Sequence, residues 1–574
     1  MVSLMRASFT HNLLSLVHAL DAKPYHKHLL FAFLTAVAVM LYGYYVGTFD
    51  QVSHIPFLKQ SVDPTLYPND RYFDLRLTHY SFFWQFFTPL YQAGLLEIAL
   101  FVVHVGVVYL TFWGVWTLTH TMFRDTLVSF LSVCAMLFPH FGFSGFPFLE
   151  FSLLNRTFAL PFELFALSWY FKKKTYRAMI LLGLLFNIHV ISVNFVMAMI
   201  MLDLVLRVKD FGWRNIIKHG ILFTLFASPV LIWRLSKPSG GIAANWEWFD
   251  ILDRGVFAHL FHFISFEAIY IPLITLGGIA TIVLTFLFIR ERHTQDKITD
   301  IDTSVRHFMF AGMLILCVQL IATYITPSAL IIQAQITRVG VFLMVFCYVY
   351  ACAFVAERMR NSPTRHTASL WFLILIFSFT PFLLLLAYWL RNYVTRLRDV
   401  RPLVIVFVGV YAYALALAYH FALWRPGVYI YPPDNAFNQV QRWAKDNTPK
   451  NAIFITPPHM FWLYDVEWRV LSERSSVSTI SELLEAAFDP GYIPYWKERF
   501  ADVAPGALEK FNRNFYVNLA LTADAYRSLT TEDLVRIGKK YDATYAVTIK
   551  PTKYKLPVAY ENDQYHVYIL SQTQ

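Results

Sequence analysis

The chain has 574 residues, of which 57% are hydrophobic, 18% aromatic and 15% charged, with 48 Lys and Arg against 38 Asp and Glu for a formal net charge of +10. Soluble globular chains carry nearer a quarter charged residues. A mean hydropathy of +0.46, with apolar runs recurring near the ~20 residues that span a bilayer, excludes a disordered chain, a secreted disulfide scaffold and a purely cytosolic enzyme.

What remains is a polytopic α-helical membrane protein with one small soluble domain at its C-terminal end. From Arg425 to Gln574 the sequence holds 17 basic and 17 acidic residues, so the whole net charge lies in the first 424 residues. A basic surplus in short loops between apolar runs is the positive-inside bias, and no nucleic-acid partner is expected. Cys134, Cys317, Cys347 and Cys352 all lie in apolar runs without a CxxC spacing, so they read as core residues and not as disulfide or metal ligands.

In chain order, residues 1–28 form a cytoplasmic N-terminus. A first span runs from Leu29 to Gly47, retained as an anchor because no cleavage signal follows it. A long first outer loop, 48–93, separates it from spans at Gly94 to His120, Thr126 to His140 and Thr157 to Phe171, the last closed by Lys172, Lys173, Lys174 and Arg177. Polar interruptions at Asn187, His189, Ser192 and Asn194 make Ala178 to Arg207 a hairpin of two short helices. The segments Arg290 to Arg306, Glu357 to Arg365 and Arg391 to Arg401 are basic, so the spans between them come as hairpins. Pro381 then breaks Leu370 to Leu390, and Leu403 to Trp424 is the last span. The count is about 13 helices, or about 12 if the Leu370 run is straight, over residues 29–424. The odd count puts the C-terminal domain on the outer side of a plasma or inner membrane.

Residues 425–574 have a normal single-domain length and read as an α/β unit able to fold alone. Helix-like Asn435 to Asp446 leads into strand-like Ala452 to Thr456. Arg469 to Leu471 reads as a second strand, Thr531 to Lys540 and Ala543 to Ile549 as a helix-strand pair, and Tyr565 to Leu570 as an edge strand. No glycine-rich phosphate loop, zinc spacing or GxSxG elbow occurs in it.

Among the polar residues Asp50 stands out, because it opens the first outer loop just past the first span, with His54, Asp63, Asp70, Arg71 and Asp74 following. Low-dielectric surroundings would raise the basicity of its carboxylate, fitting it as a general base on an acceptor hydroxyl or amine. Tyr72, Phe73, Leu75, Leu77, Tyr80, Phe83, Trp84 and Phe87 then read as an aromatic helix on the membrane surface. Glu97 and Asp203 are placed within spans and must be paired or lie near an interface.

An acidic residue directly after the first span, a long first outer loop with an aromatic stretch, about a dozen helices, and a terminal α/β domain opened by Trp443-Ala-Lys-Asp-Asn-Thr-Pro449 together resemble the GT-C class of integral-membrane glycosyltransferases. The resemblance implies an enzyme that takes a sugar from a polyprenyl-phosphate or diphosphate donor in the lipid bilayer. It gives that sugar to a glycan, lipid or protein acceptor, with Asp50 as catalytic base or metal ligand and a divalent cation as a possible cofactor. The chain carries no Trp-Trp-Asp string in the soluble domain and no Asp-x-Asp pair in the first loop.

A donor phosphate needs a cation beside it. Arg156, Arg234 and Arg338 stand at outer span ends, against the positive-inside bias, and arginine's planar fork suits phosphate. Arg338 with Gln335, then Arg156, are the expected phosphate ligands. Glu150 is a candidate second acid, His54 and His189 candidate cavity residues, and the acids and tryptophans of Lys237 to His262 candidate sugar contacts. The competing expectation is a transporter or flippase of a lipid-linked or polar substrate, which predicts paired repeats with broken helices. No such repeat stands out.

Overall fold

Apolar helices dominate the computed structural model, which describes residues 17, 20–21, 23–140, 143, 147–236, 246–326, 328–361, 365–378, 381–394, 401–421, 423–460 and 464–570. Among them seven helical stretches are long and apolar enough to cross a membrane: Pro24–Tyr42, Leu96–Phe123, Trp213–Ser236, Tyr270–Thr294, Asp300–Tyr324, the composite Ala329–Arg360, and Pro402–His420. Shorter helices, including Thr126–Met136, Asn155–Phe171, Thr175–Phe186 and Val190–Leu206, pack between them. Large apolar side chains such as Phe33, Met40, Leu225, Ile232, Ile405 and Val410 face outward and are exposed. That pattern is unfavourable in water and suits a hydrocarbon surround, so the chain is consistent with a multi-pass membrane protein.

Helices approach closely where a side chain is absent. A Cβ on Gly183 would lie 2.7 Å from the Phe223 carbonyl oxygen, so only glycine lets Thr175–Phe186 meet Trp213–Ser236 at this distance. Asp203 is fully buried and accepts from Tyr170, Ser304 and His307, which ties three helices together. Glu97 stands half-buried in the first turn of Leu96–Phe123. The expected hairpin over Ala178 to Arg207 is present as Thr175–Phe186 and Val190–Leu206, and separate helices Arg365–Phe377 and Pro381–Trp389 flank the expected break. The basic loops converge at one end of the bundle through Lys173–Asp300, Arg207–Asp300, Lys297–Glu357 and Arg358–Glu291 ion pairs.

Several expectations are corrected. The first helix ends at Tyr42, not Gly47: Gly43 takes φ 77°, and Tyr44–Tyr45 form a short parallel strand with Val428–Tyr429. The aromatic stretch is not a helix on the membrane surface. It folds as the 3-10 turns Arg71–Thr78 and Trp84–Phe87, with Tyr72, Phe73, Leu75, Phe83 and Phe87 buried. Arg469 to Leu471 lies in a helical turn, Trp468–Ser472, because Glu467 caps it by accepting from the Arg469 backbone N–H.

The C-terminal sheet runs in the order Ser475–Ser476, Ile453–Ile455, Tyr545–Ile549, Tyr565–Ile569, Val558–Glu561. The first three strands are parallel to one another, Tyr565–Ile569 pairs antiparallel with Tyr545–Ile549, and Val558–Glu561 pairs antiparallel with Tyr565–Ile569. Tyr565–Ile569 is therefore an inner strand, paired on both sides; Val558–Glu561 takes the edge. Nor is 425–574 a body with a core of its own throughout. Val52, Ile55, Phe57, Tyr72 and Phe73 of the first long loop share one apolar core with Val466, Val470, Leu483, Trp496 and Phe500. Polar contacts seal that junction: Lys59 donates to the Glu473 carboxylate at 2.8 Å, and the Tyr67 hydroxyl to the Arg469 carbonyl at 2.7 Å.

Candidate functional site

A cavity of about 810 Å³ opens where the bundle, the first long loop and the C-terminal domain meet. Seven residues expected from sequence line it: Asp50, His54, Arg156, His189, Arg234, Gln335 and Arg338. Glu150 lies behind Arg156, against a smaller adjoining void.

Each is placed by local structure. Asp50 precedes the helix Gln51–Val62 without capping it, so its carboxylate is available to reach elsewhere, and His54 follows one turn on. Gln51 pins the start of that helix, accepting from the Gly47 N–H and donating to the Leu153 carbonyl, both at 2.8 Å. This brings the first loop against the segment that starts helix Asn155–Phe171, where Arg156 is the second residue. Gln335 takes φ 45° and ends the helix Ala329–Ala334, and the 3-10 turn Ile336–Val339 carries Arg338. The Thr337 hydroxyl donates to the Leu260 carbonyl at 2.9 Å and fixes that turn.

Arg156 joins two acids. Its Nε and Nη2 donate to the two oxygens of Glu150, each at 2.7 Å, and its Nη1 donates to Asp50 Oδ2. The guanidinium also lies 5.6 Å from the Phe49 ring. Burial pushes the Asp50 carboxyl up, but Arg156 and Arg338 outweigh it and hold it below its usual range. The expected rise in basicity is thus reversed in this state, because the counter-charge is closer than the apolar surround. Among the described residues no group of three or more His, Cys, Asp or Glu could hold a metal ion. Arg156 occupies the space between Asp50 and Glu150, so these two acids bind a guanidinium and not a shared divalent cation in this state.

Two further residues of the cavity wall carried no signal in the sequence. His79 and Glu485 form an ion pair lining the cavity, with His79 from the first loop and Glu485 from the C-terminal domain. Burial lowers the His79 pKa, and the Glu485 carboxylate more than reverses this; Glu485 is in turn held low. His54 packs its ring on Trp84 at 5.2 Å and edge-on to His79. Burial, then His79, lowers its pKa to about 4, so His54 is neutral at physiological pH. Arg234 also lines the cavity, 5.3 Å from the Tyr80 ring. Of the segment Lys237 to His262, residues 237–245 lie outside the described residues. Trp248 is buried and donates to the Ala486 carbonyl, which makes it a structural contact and not an open sugar platform.

Residues 435–503 match a family model described as a domain of unknown function, DUF6798. No curated protein matches the chain. The matched segment contains Glu485 and the helical turn that carries Arg469, so it supplies one wall of the cavity and part of its junction with the first loop.

Proposed function

We propose that the chain is a multi-spanning glycosyltransferase of the GT-C kind, moving a sugar from a polyprenyl-phosphate or diphosphate donor to an acceptor on the outer face of the membrane. One observation carries the reading: Asp50 and the three arginines Arg156, Arg234 and Arg338, all chosen as candidates for this chemistry, line a single cavity. Its volume is that of an ordinary small-molecule site. Arg156, Arg234 and Arg338 give it the charge to receive an anionic phosphate.

In this reading the acceptor's hydroxyl or amine gives its proton to Asp50, and the acceptor atom bonds to the anomeric carbon of the sugar. The bond from that carbon to the phosphate oxygen breaks, and the phosphate leaves with the electron pair, its charge met by Arg338 and Arg156. A phosphate that draws Arg156 toward itself also takes counter-charge away from Asp50, raising the carboxylate's basicity when the donor is bound. The same reading has about 13 spans and an outer C-terminal domain.

The test is consumption of a radiolabelled polyprenyl-phosphate sugar by the purified protein, supplied with a membrane lipid or glycan extract. Turnover is expected. Saturable donor binding with transport and no turnover would favour the carrier instead.

A further inference from the structure

Beside the arginine pole, His189, Ser192 and Glu163 form a chain whose hydrogen positions follow from counting donors. His189 precedes the helix Val190–Leu206, and its Nδ1 accepts the Ser192 backbone N–H at 3.2 Å. The same nitrogen lies 2.6 Å from Ser192 Oγ, and that oxygen lies 2.5 Å from Glu163 Oε1.

A serine hydroxyl carries one proton, and a neutral imidazole carries one N–H. A nitrogen that accepts a backbone N–H has no proton of its own, so its contact with Oγ is attractive only if the hydroxyl donates to it, the two donors sharing the one lone pair and the shorter hydroxyl contact taking the larger part. The single hydroxyl proton is then used. The contact with Glu163 needs a proton from the other side, which only a protonated carboxyl provides. Burial agrees: Glu163 is fully buried, and among the described residues its second oxygen has no hydrogen-bond partner. An ionised carboxylate would be costly there. The imidazole's own proton is left on Nε2, on a ring that lines the cavity together with Arg156 and Arg338.

We infer that Glu163, in its acid form, and Ser192 are positioning residues that fix His189 as the Nε2–H tautomer, and that His189 donates this N–H to a phosphate or diphosphate ester in the cavity. The ligand class rests on the function proposed above; the tautomer does not. A neutral donor complements the guanidinium groups of the cavity without adding a further positive charge.

The test uses full-length protein carrying 15N-labelled histidine in lipid nanodiscs, with the His189 signals identified by their loss in His189→Gln. In the ligand-free protein Nδ1 is expected bare and Nε2 protonated. Glu163→Gln should keep this tautomer, because its amide can donate to Ser192 Oγ, whereas Glu163→Leu should give a tautomer mixture. Binding of a short-chain polyprenyl phosphate should match wild type in Glu163→Gln and weaken about tenfold in Glu163→Leu and His189→Phe. An Nδ1–H tautomer in the ligand-free protein, or Glu163→Gln behaving like Glu163→Leu, overturns the inference. The expected tautomer with no binding of polyprenyl phosphate overturns the phosphate contact and the function it rests on, and leaves the positioning by Glu163 standing.

Discussion

Arg156 and Asp50 lie 106 positions apart and are joined by a guanidinium-to-carboxylate hydrogen bond at the cavity wall. With Glu150 on its other edge, Arg156 stands between two carboxylates and offsets their repulsion in a largely dehydrated place. Arg156→Ala should therefore destabilise the protein by about 3 kcal/mol, the scale for stripping one partner from a buried ion pair. Thermal unfolding in detergent checks this, and an unchanged midpoint would show that the pair contributes nothing. Arg156→Lys should recover only part of the loss, since a single ammonium lacks the fork that holds Glu150 by two bonds.

A second buried cation fastens the C-terminal domain to the first long loop. Arg469 donates to Asp70, Glu467 and Glu482, and the four groups are buried in one place. One cation among three acids leaves negative charge in excess, and burial raises the Glu467 pKa from 4.5 to about 6. A carboxyl that holds its proton more tightly folded than unfolded favours folding at low pH, and this stability is lost as pH rises through the folded value. The stability of Glu467→Gln relative to wild type should thus increase between pH 4.5 and about 6, measured as the difference of their unfolding midpoints. A difference independent of pH would contradict this.

His79 depends on Glu485 for its charge. Removing the carboxylate leaves burial as the dominant influence, so in Glu485→Gln the titration of His79, followed by histidine NMR, should move to lower pH. No movement would mean that the two side chains do not meet in solution.

The side of the membrane is readable by chemistry. Lys450, exposed on the C-terminal domain, pairs with Asp63 of the first loop, and Lys173 sits among the basic loops at Asp300. A cysteine replacing Lys450 should react with an impermeant maleimide in intact cells. One replacing Lys173 should react only after permeabilisation. The reverse pattern would put the C-terminal domain inside.

Much of the bundle was legible because apolar runs and their polar breaks are local signals. The paired short helices around Asn187 and His189, and the separate helices around Pro381, follow from sequence alone. Arg156 and Arg338 were legible because arginine at an expected outer span end goes against the positive-inside bias, and Asp50 because it directly follows the first apolar run. The aromatic stretch 72–87 was misread, since its spacing cannot distinguish a membrane surface from a protein core that covers it, here Val470, Leu483 and Trp496. Glu485 and His79 gave no signal: a glutamate in a soluble domain is ordinary until the fold brings it across to a histidine 406 positions away. Ser192 was seen as a polar interruption, but its link to Glu163 depends on how two helices pack.

The most direct test of the proposed transfer is to compare wild type with Asp50→Asn in one donor preparation, reading bound and consumed polyprenyl-phosphate sugar separately. The account predicts that Asp50→Asn still binds the donor and transfers essentially none of its sugar, while wild type does both. Equal transfer by the two proteins would contradict it, and would leave Asp50 as no more than the counter-ion of Arg156.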